Sequence, residues 1–421
     1  MINQREIAVK ALQEILTDGG YNNIVLRKTL NNYNDLTASQ KAFITEVVNG
    51  TLRNLIHMDY IISQFSKAKK VKPYVQNLLR ISTYQLFYMT KTPESAVVNE
   101  AVNLIKAKSF KNLAPFVNGV LRNIARNKEN INYPKDFKQN LSIATSMPLW
   151  LVDYLARTLD NEKLEKFCRA SLLAPKVSIC ANNIKISDKD LVERLKSEGL
   201  AIDDSSGSIL ASKTSSIADS SAFKAGLYFI IDKNAKKAVD MLNPTPNSVV
   251  YDICAAPGGK SFYMAQLMEN KGSIFSTDIH PHKTKLIENT ARKLGIDIIK
   301  VAASDMSINY EHRNNKADFV LLDVPCSGFG TLRKKPDVKY TKTLKDVEQL
   351  QAIQKNLMLA CAEYPKIGGK LLYCTCTISE EENEKNLEWF LGKFNYELEK
   401  KSIFSPEDGD GFFAALLVRK G

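Results

Sequence analysis

The stretch Ser248-Val-Val-Tyr-Asp-Ile-Cys-Ala-Ala-Pro-Gly-Gly-Lys-Ser261 decides how the rest of the chain is read. It opens as an apolar run, the pattern of a strand buried on both faces. It then turns on Gly258 and Gly259, where the missing Cβ lets a backbone bend tightly and approach a ligand. Further runs of the same type are Ser273–Thr277, Ile298–Val301, Phe319–Leu322, Lys370–Cys374 and Ala414–Val418. Helical segments lie between them. Together they predict a largely parallel, doubly wound α/β sheet over 235–421, a Rossmann-like domain.

In such sheets ligands bind beyond the carboxyl ends of the strands. The first strand there delivers Cys254-Ala255-Ala256-Pro257-Gly258-Gly259-Lys260. The second delivers Asp278, placed for ribose hydroxyls. The third delivers Ser304-Asp305, suited to an adenine amino group. The fourth delivers Asp323-Val-Pro-Cys326, and the fifth Thr375-Cys376-Thr377. Each feature alone has a plain alternative as a turn, a helix cap or a packed thiol. Their succession over five strands is the specific signal. Gly259-Lys260-Ser261 with a later Asp323 also has the look of a triphosphate loop. That reading fails because Cys254 stands where the loop needs a glycine and Pro257 removes an N–H.

The residue types fit one reaction. Cytosine C5 is a weak nucleophile until a thiolate adds to C6, which is covalent catalysis. The reaction needs a cysteine, a carboxyl group near N3, a second group for elimination and a methyl donor. Cys376, Asp323, Cys326 and the glycine loop supply those types.

Upstream, the sequence changes character. Residues 1–135 read as all helix: Ala8, Ala11, Leu12 and Ile15 share a face, as do Val98, Ala101, Val102 and Ile105, and Val117, Val120, Leu121 and Ile124. Turn-like pauses fall at Asp18-Gly-Gly, Asn31–Asp35 and Lys91-Thr-Pro. A linker-like stretch follows at 130–138, and residues 136–234 read as a small α/β module with a Ser- and Asp-rich stretch from Asp203. Residues 1–140 hold 20 Lys and Arg against 10 Asp and Glu, most of the net +12 of the whole chain. A basic part joined to a near-neutral one points to a polyanion partner. No apolar run reaches membrane-span length and the first residues carry no apolar signal region, so a cytoplasmic protein without membrane contact is expected. Seven cysteines, an odd number, argue against a disulfide framework, and none has zinc-knuckle spacing, so no metal is expected.

The motifs Asp252-Ile-Cys-Ala-Ala-Pro-Gly-Gly-Lys-Ser, Leu322-Asp-Val-Pro-Cys-Ser-Gly-Phe-Gly-Thr and Tyr373-Cys-Thr-Cys-Thr resemble those of RNA 5-methylcytosine methyltransferases. Arg80-Ile-Ser-Thr-Tyr-Gln-Leu, Val97-Val-Asn-Glu-Ala-Val and Phe116-Val-Asn-Gly-Val-Leu-Arg look like the helical domain of the antitermination factor NusB. The fusion is similar to the bacterial 16S ribosomal RNA cytosine-5 methyltransferases of the RsmB type. The resemblance covers the whole chain. It implies S-adenosylmethionine as cofactor and 16S ribosomal RNA as partner, with cytosine 967 in the family's usual rRNA numbering as target. It also implies that Cys254 to Lys260, Asp278, Asp305 and Asp323 line the cofactor site. Cys376 would be the nucleophile, and Cys326 would assist release of the product. Two positions depart from the family pattern: Ile230-Ile231-Asp232 where Gln-Asp is usual, and Ala181 where an arginine is common.

Overall fold

The structure is a computed structural model that describes residues 3–33, 35–68, 70–108, 110–205, 207–211, 217, 219–407 and 409–421. Asn34 and Ser206, in two of the predicted polar stretches, and the first two residues lie outside the described residues. The chain forms two compact units, Met1–Leu173 with Leu332–Thr341, and Ala174–Thr331 with Lys342–Gly421.

The first unit is helical. Its helices span Gln4–Leu16, Asn22–Asn32, Ala38–Arg53, Leu55–Phe65, Pro73–Tyr88, Glu94–Lys106 and Ala114–Arg126, followed by Phe137–Ala144, Leu149–Leu155 and Asn161–Ala170. The predicted apolar faces are inside: Ala8, Ala11, Leu12, Ile15, Val117, Val120, Leu121 and Ile124 all belong to one buried cluster. The linker-like stretch is tied down, because the Tyr60 hydroxyl donates to the Asn132 carbonyl at 2.5 Å. Leu332–Thr341 reaches this unit from far along the chain. Lys339 Nζ donates to the carbonyls of Arg53 (2.9 Å) and Thr145 (3.4 Å). The Tyr340 hydroxyl donates to those of Leu52 (2.9 Å) and Ser146 (3.2 Å). These are carbonyls at or just past helix ends, which have no intrahelical donor.

The second unit carries two sheets. The smaller contains β1 (Val177–Ala181), β2 (Ile202–Asp203), β3 (Ile209–Ala211) and β4 (Tyr228–Ile230) in the order β2-β3-β1-β4, all antiparallel. The larger contains β5 (Val249–Ile253), β6 (Ser273–Asp278), β7 (Ile299–Ala303), β8 (Ala317–Asp323), β9 (Pro365–Thr375), β10 (Tyr396–Phe404) and β11 (Phe412–Arg419). Its order is β10-β11-β9-β8-β5-β6-β7, with β5 to β9 parallel and β11 antiparallel to both neighbours. All six predicted strands are present. The order reverses between β5 and β8, and such a switch point opens a crevice at the carboxyl edge. β10 was not anticipated from sequence: it is an exposed edge strand rich in Glu and Lys.

Candidate functional site

The candidate site lies where the parallel strands end. Register puts Asp252 beside Leu321 and Ser276, and Asp323 beside Cys374. After β5 the chain takes a left-handed turn at Cys254 (φ 62°) and again at Gly258 (φ 101°) before the helix Gly259–Leu267. A Cβ on Gly258 would stand 2.6 Å from the Phe262 ring. The Ala255 N–H donates to the Thr277 carbonyl at 2.8 Å, which holds the loop across the end of β6.

Three carboxylates converge on this loop. Burial pushes the Cys254 thiol up to about 12, and the charges of Asp323, Asp278 and Asp252 push the same way. Asp252 is fully buried and accepts a hydrogen bond from the Ser261 hydroxyl. Its Oδ1 has no partner among the described residues. Burial raises its carboxyl pKa to about 7. Asp278 accepts the His280 N–H at 3.0 Å through Oδ1. Lys260 Nζ donates to Asp323 Oδ2 at 2.6 Å. Burial works against that ammonium, but the Asp323 charge and hydrogen bond outweigh it and hold its pKa above the usual lysine range. Lys260, with no settled role from sequence, therefore acts on Asp323. Asp305 is exposed and accepts from the Ser307 N–H (3.0 Å) and hydroxyl (2.7 Å), and the Ser304 N–H beside it donates to the Asp278 carbonyl at 3.1 Å.

The two motif cysteines meet. Cys326 Sγ and Cys376 Sγ are 3.2 Å apart, both half-buried. The hydrogen bond with Cys376, then burial, then the charges of Cys376, Glu382 and Asp323 push the Cys326 thiol well up. Cys326 is thus held as a thiol, in hydrogen-bond contact with the sulfur of Cys376, and either sulfur can be the donor of that contact. The two loops are laced together: Ser327 Oγ and Thr377 Oγ1 lie 2.7 Å apart, and the Gly330 N–H donates to the Cys376 carbonyl at 3.0 Å. Cys374 is fully buried and belongs to a core cluster, as packing predicts.

Sequence reading missed three residues under these loops: Gln354, Glu382 and Asn383. Asn383 Nδ2 donates to the Thr377 carbonyl at 3.1 Å, and its Oδ1 accepts the Thr375 hydroxyl at 2.6 Å. One signal existed for Gln354. It shares a helical stripe with Leu357, Met358 and Cys361, so it points inward. The two residues that depart from the family pattern are buried: Ile231 belongs to one core cluster and Ala181 to another. Asp232 accepts from the Asn234 N–H at 2.9 Å and the Asp410 N–H at 3.1 Å. Beside Ala181, buried Asn182 donates to the carbonyls of Gly226 (2.9 Å) and Leu294 (2.7 Å).

S-adenosylmethionine is a cation with a ribose and an adenine. The convergent carboxylates, the orphaned buried oxygen of Asp252 and the glycine-turned loop suit such a ligand. A sheet of this order with these features at its carboxyl edge defines an S-adenosylmethionine-dependent methyltransferase. Residues 239–417 match the family described as 16S rRNA methyltransferase RsmB/F, and residues 2–126 match the NusB family. The chain is 38% identical over 392 residues to the probable ribosomal RNA small subunit methyltransferase B of Bacillus subtilis, covering 92% of this chain and 88% of that one. It is 32% identical to the corresponding protein of Synechocystis, covering 93% and 89%. The chain belongs to the ribosomal RNA small subunit methyltransferase B family. Its fold matches the crystal structure of PH0851 with a TM-score of 0.81, at 24% identity, over 100% of this chain and 99% of that one. A methyltransferase homolog from Pyrococcus horikoshii gives 0.58 at 25% identity, over 68% and 100%.

Among the described residues, no helix is long and apolar enough to cross a membrane, and no group of three or more His, Cys, Asp or Glu is arranged to hold a metal.

Proposed function

We propose that this protein methylates C5 of one cytosine in 16S ribosomal RNA, cytosine 967 in the family's numbering, through a covalent bond between Cys376 and C6. The observation that carries the reading is the 3.2 Å thiol pair, with the Lys260–Asp323 pair at the end of a neighbouring strand. Bound S-adenosylmethionine supplies the methyl sulfonium, held by Cys254 to Lys260, Asp278, Asp305 and Asp323.

The chain's own residues do the rest. The Cys376 thiolate bonds to C6, and the C5=C6 electron pair moves to C5, which takes the methyl group. Asp323, backed by the Lys260 ammonium, meets the N3 edge of the ring. When the C5 proton is lost to a base, the C5=C6 bond returns and the C6–S bond breaks. Cys326 then offers its S–H to the departing sulfur. The base must leave its stack to reach this site. Residues 1–135 serve as the RNA-binding domain and 235–421, apart from 332–341, as the catalytic domain; the module expected over 136–234 is divided, with 136–173 in the helical unit and 174–234 in the unit that carries the site.

The test is a 16S ribosomal RNA fragment incubated with labelled methyl donor. Wild-type protein places label as 5-methylcytosine, Cys376→Ser gives no turnover, and Cys326→Ala accumulates an RNA–protein adduct on a denaturing gel. An adduct formed by Cys376→Ser reverses the roles of the two thiols. Label on transfer RNA alone overturns the substrate.

A further inference from the structure

Cys376 and Cys326 are held by different means. Cys376 directly follows β9, whose last residue, Thr375, pairs with Phe413 of β11, so the sheet itself fixes its start. Cys326 lies in a loop that belongs to no strand or helix. Both peptide groups flanking it are gripped from inside. Gln354 Nε2 donates to the Pro325 carbonyl at 2.9 Å. Glu382 Oε1 accepts the Ser327 N–H at 2.8 Å. The same Gln354 amide donates to Glu382 Oε1 at 2.9 Å, so the two grips are one unit. Asn386 Nδ2 donates to Gln354 Oε1 at 2.8 Å and fixes which end of that amide faces the loop.

Gln354, Glu382 and Asn386 are completely buried. Burying a carboxyl group costs several kcal/mol unless its hydrogen bonds are made. Stability alone would be served as well by apolar side chains at such positions. The arrangement fixes the backbone on both sides of one sulfur.

We infer that Gln354 and Glu382 are positioning residues for Cys326, and that they govern the release half of the reaction and not the attack by Cys376. The inference rests on the roles proposed above for the two cysteines. Losing the grip lets the Cys326 sulfur drift, while Cys376 stays anchored by the end of β9 just before it. A drift of about 1 Å in a reacting group costs up to about a hundredfold in rate.

The test compares Gln354→Leu, Glu382→Gln and Cys326→Ala in steady-state methylation of the 16S fragment and in covalent complex on a denaturing gel. Gln354→Leu is expected to lower turnover by about tenfold to a hundredfold. It should at the same time raise the covalent complex, as Cys326→Ala does. A general packing defect would lower both. Glu382→Gln keeps an acceptor oxygen for the Ser327 N–H and should stay close to wild type. Turnover and complex falling together in Gln354→Leu, or neither changing, overturns the inference. If Gln354→Leu does not fold, Asn386→Ala, which removes only the bond orienting the Gln354 amide, should give the same pattern in weaker form. If Cys326→Ala itself traps no complex, the cysteine roles fall. The positioning claim is then judged by iodoacetamide labelling of the free protein. A changed rate at Cys326 with an unchanged rate at Cys376 supports it, and unchanged rates at both overturn it.

Discussion

Asp252 shows how a single buried carboxyl ties the site to stability. Its folded pKa of about 7 lies above the ordinary 3.8. Between those values the folded state keeps a proton that the unfolded chain has lost. Raising the pH through that window therefore favours unfolding, and the penalty is complete above about pH 7. Asp252→Asn cannot ionise, so its stability relative to wild type should rise from pH 4 to pH 8, by a few kcal/mol. Thermal unfolding of the two proteins at several pH values checks this; a difference that stays flat with pH rules it out. At this scale the sequence was legible where chemistry sits at the end of an apolar strand. Asp278 and Asp323 do end β6 and β8, and Cys326 and Cys376 do follow β8 and β9, where the apolar runs put them. Glu382 was hidden because it is the third of Glu380-Glu381-Glu382. Only the third is fully buried, and nothing local separates it from its half-buried neighbours.

Strands buried on both faces were readable because they are continuous apolar runs. β10 was not, since its Glu397, Glu399, Lys400 and Lys401 face solvent at the sheet edge. Charged side chains of this kind keep an edge from pairing with another chain. The short turn Phe329–Thr331 was also missed, although it decides how the two cysteine loops meet. Gly330 there lies so close to the Gly411 backbone that a Cβ would stand 1.8 Å from the Gly411 oxygen. The Gly411 N–H also donates to the Gly330 carbonyl at 2.8 Å. Backbone cannot yield as a side-chain tip can. Gly330→Ala should cost about 1–3 kcal/mol in urea unfolding and lower methylation by spreading the two loops. An unchanged midpoint and unchanged turnover would show that the close approach is dispensable.

At the scale of the molecule, the sequence reading found a basic helical part and a methyltransferase part. It could not find the crossing of Leu332–Thr341 into the helical unit. Nothing in Val338-Lys-Tyr-Thr341 marks a helical turn whose lysine will be 1% exposed. That contact is made at long range and has no local pattern. The charge distribution has a direct test. If the first 140 residues grip phosphates, the log of RNA affinity should fall with log salt at a slope of about −3 or steeper. Lysine-to-glutamine changes at exposed positions such as Lys70 and Lys91 should flatten that slope, with methylation of saturating RNA little altered. A slope near zero would place the RNA grip elsewhere.

The late arrival of Lys339 and Tyr340 sets an order of events as the polypeptide is made. The ribosome finishes residue 173 well before residue 341, and at 5–20 residues per second the gap lasts roughly ten to thirty seconds. Until then the carbonyls of Leu52, Arg53, Thr145 and Ser146 lack the donors that later reach them. The N-terminal bundle thus emerges from the ribosome first but is completed nearly last, and a nascent chain stalled before Lys339 carries it with those four groups still open.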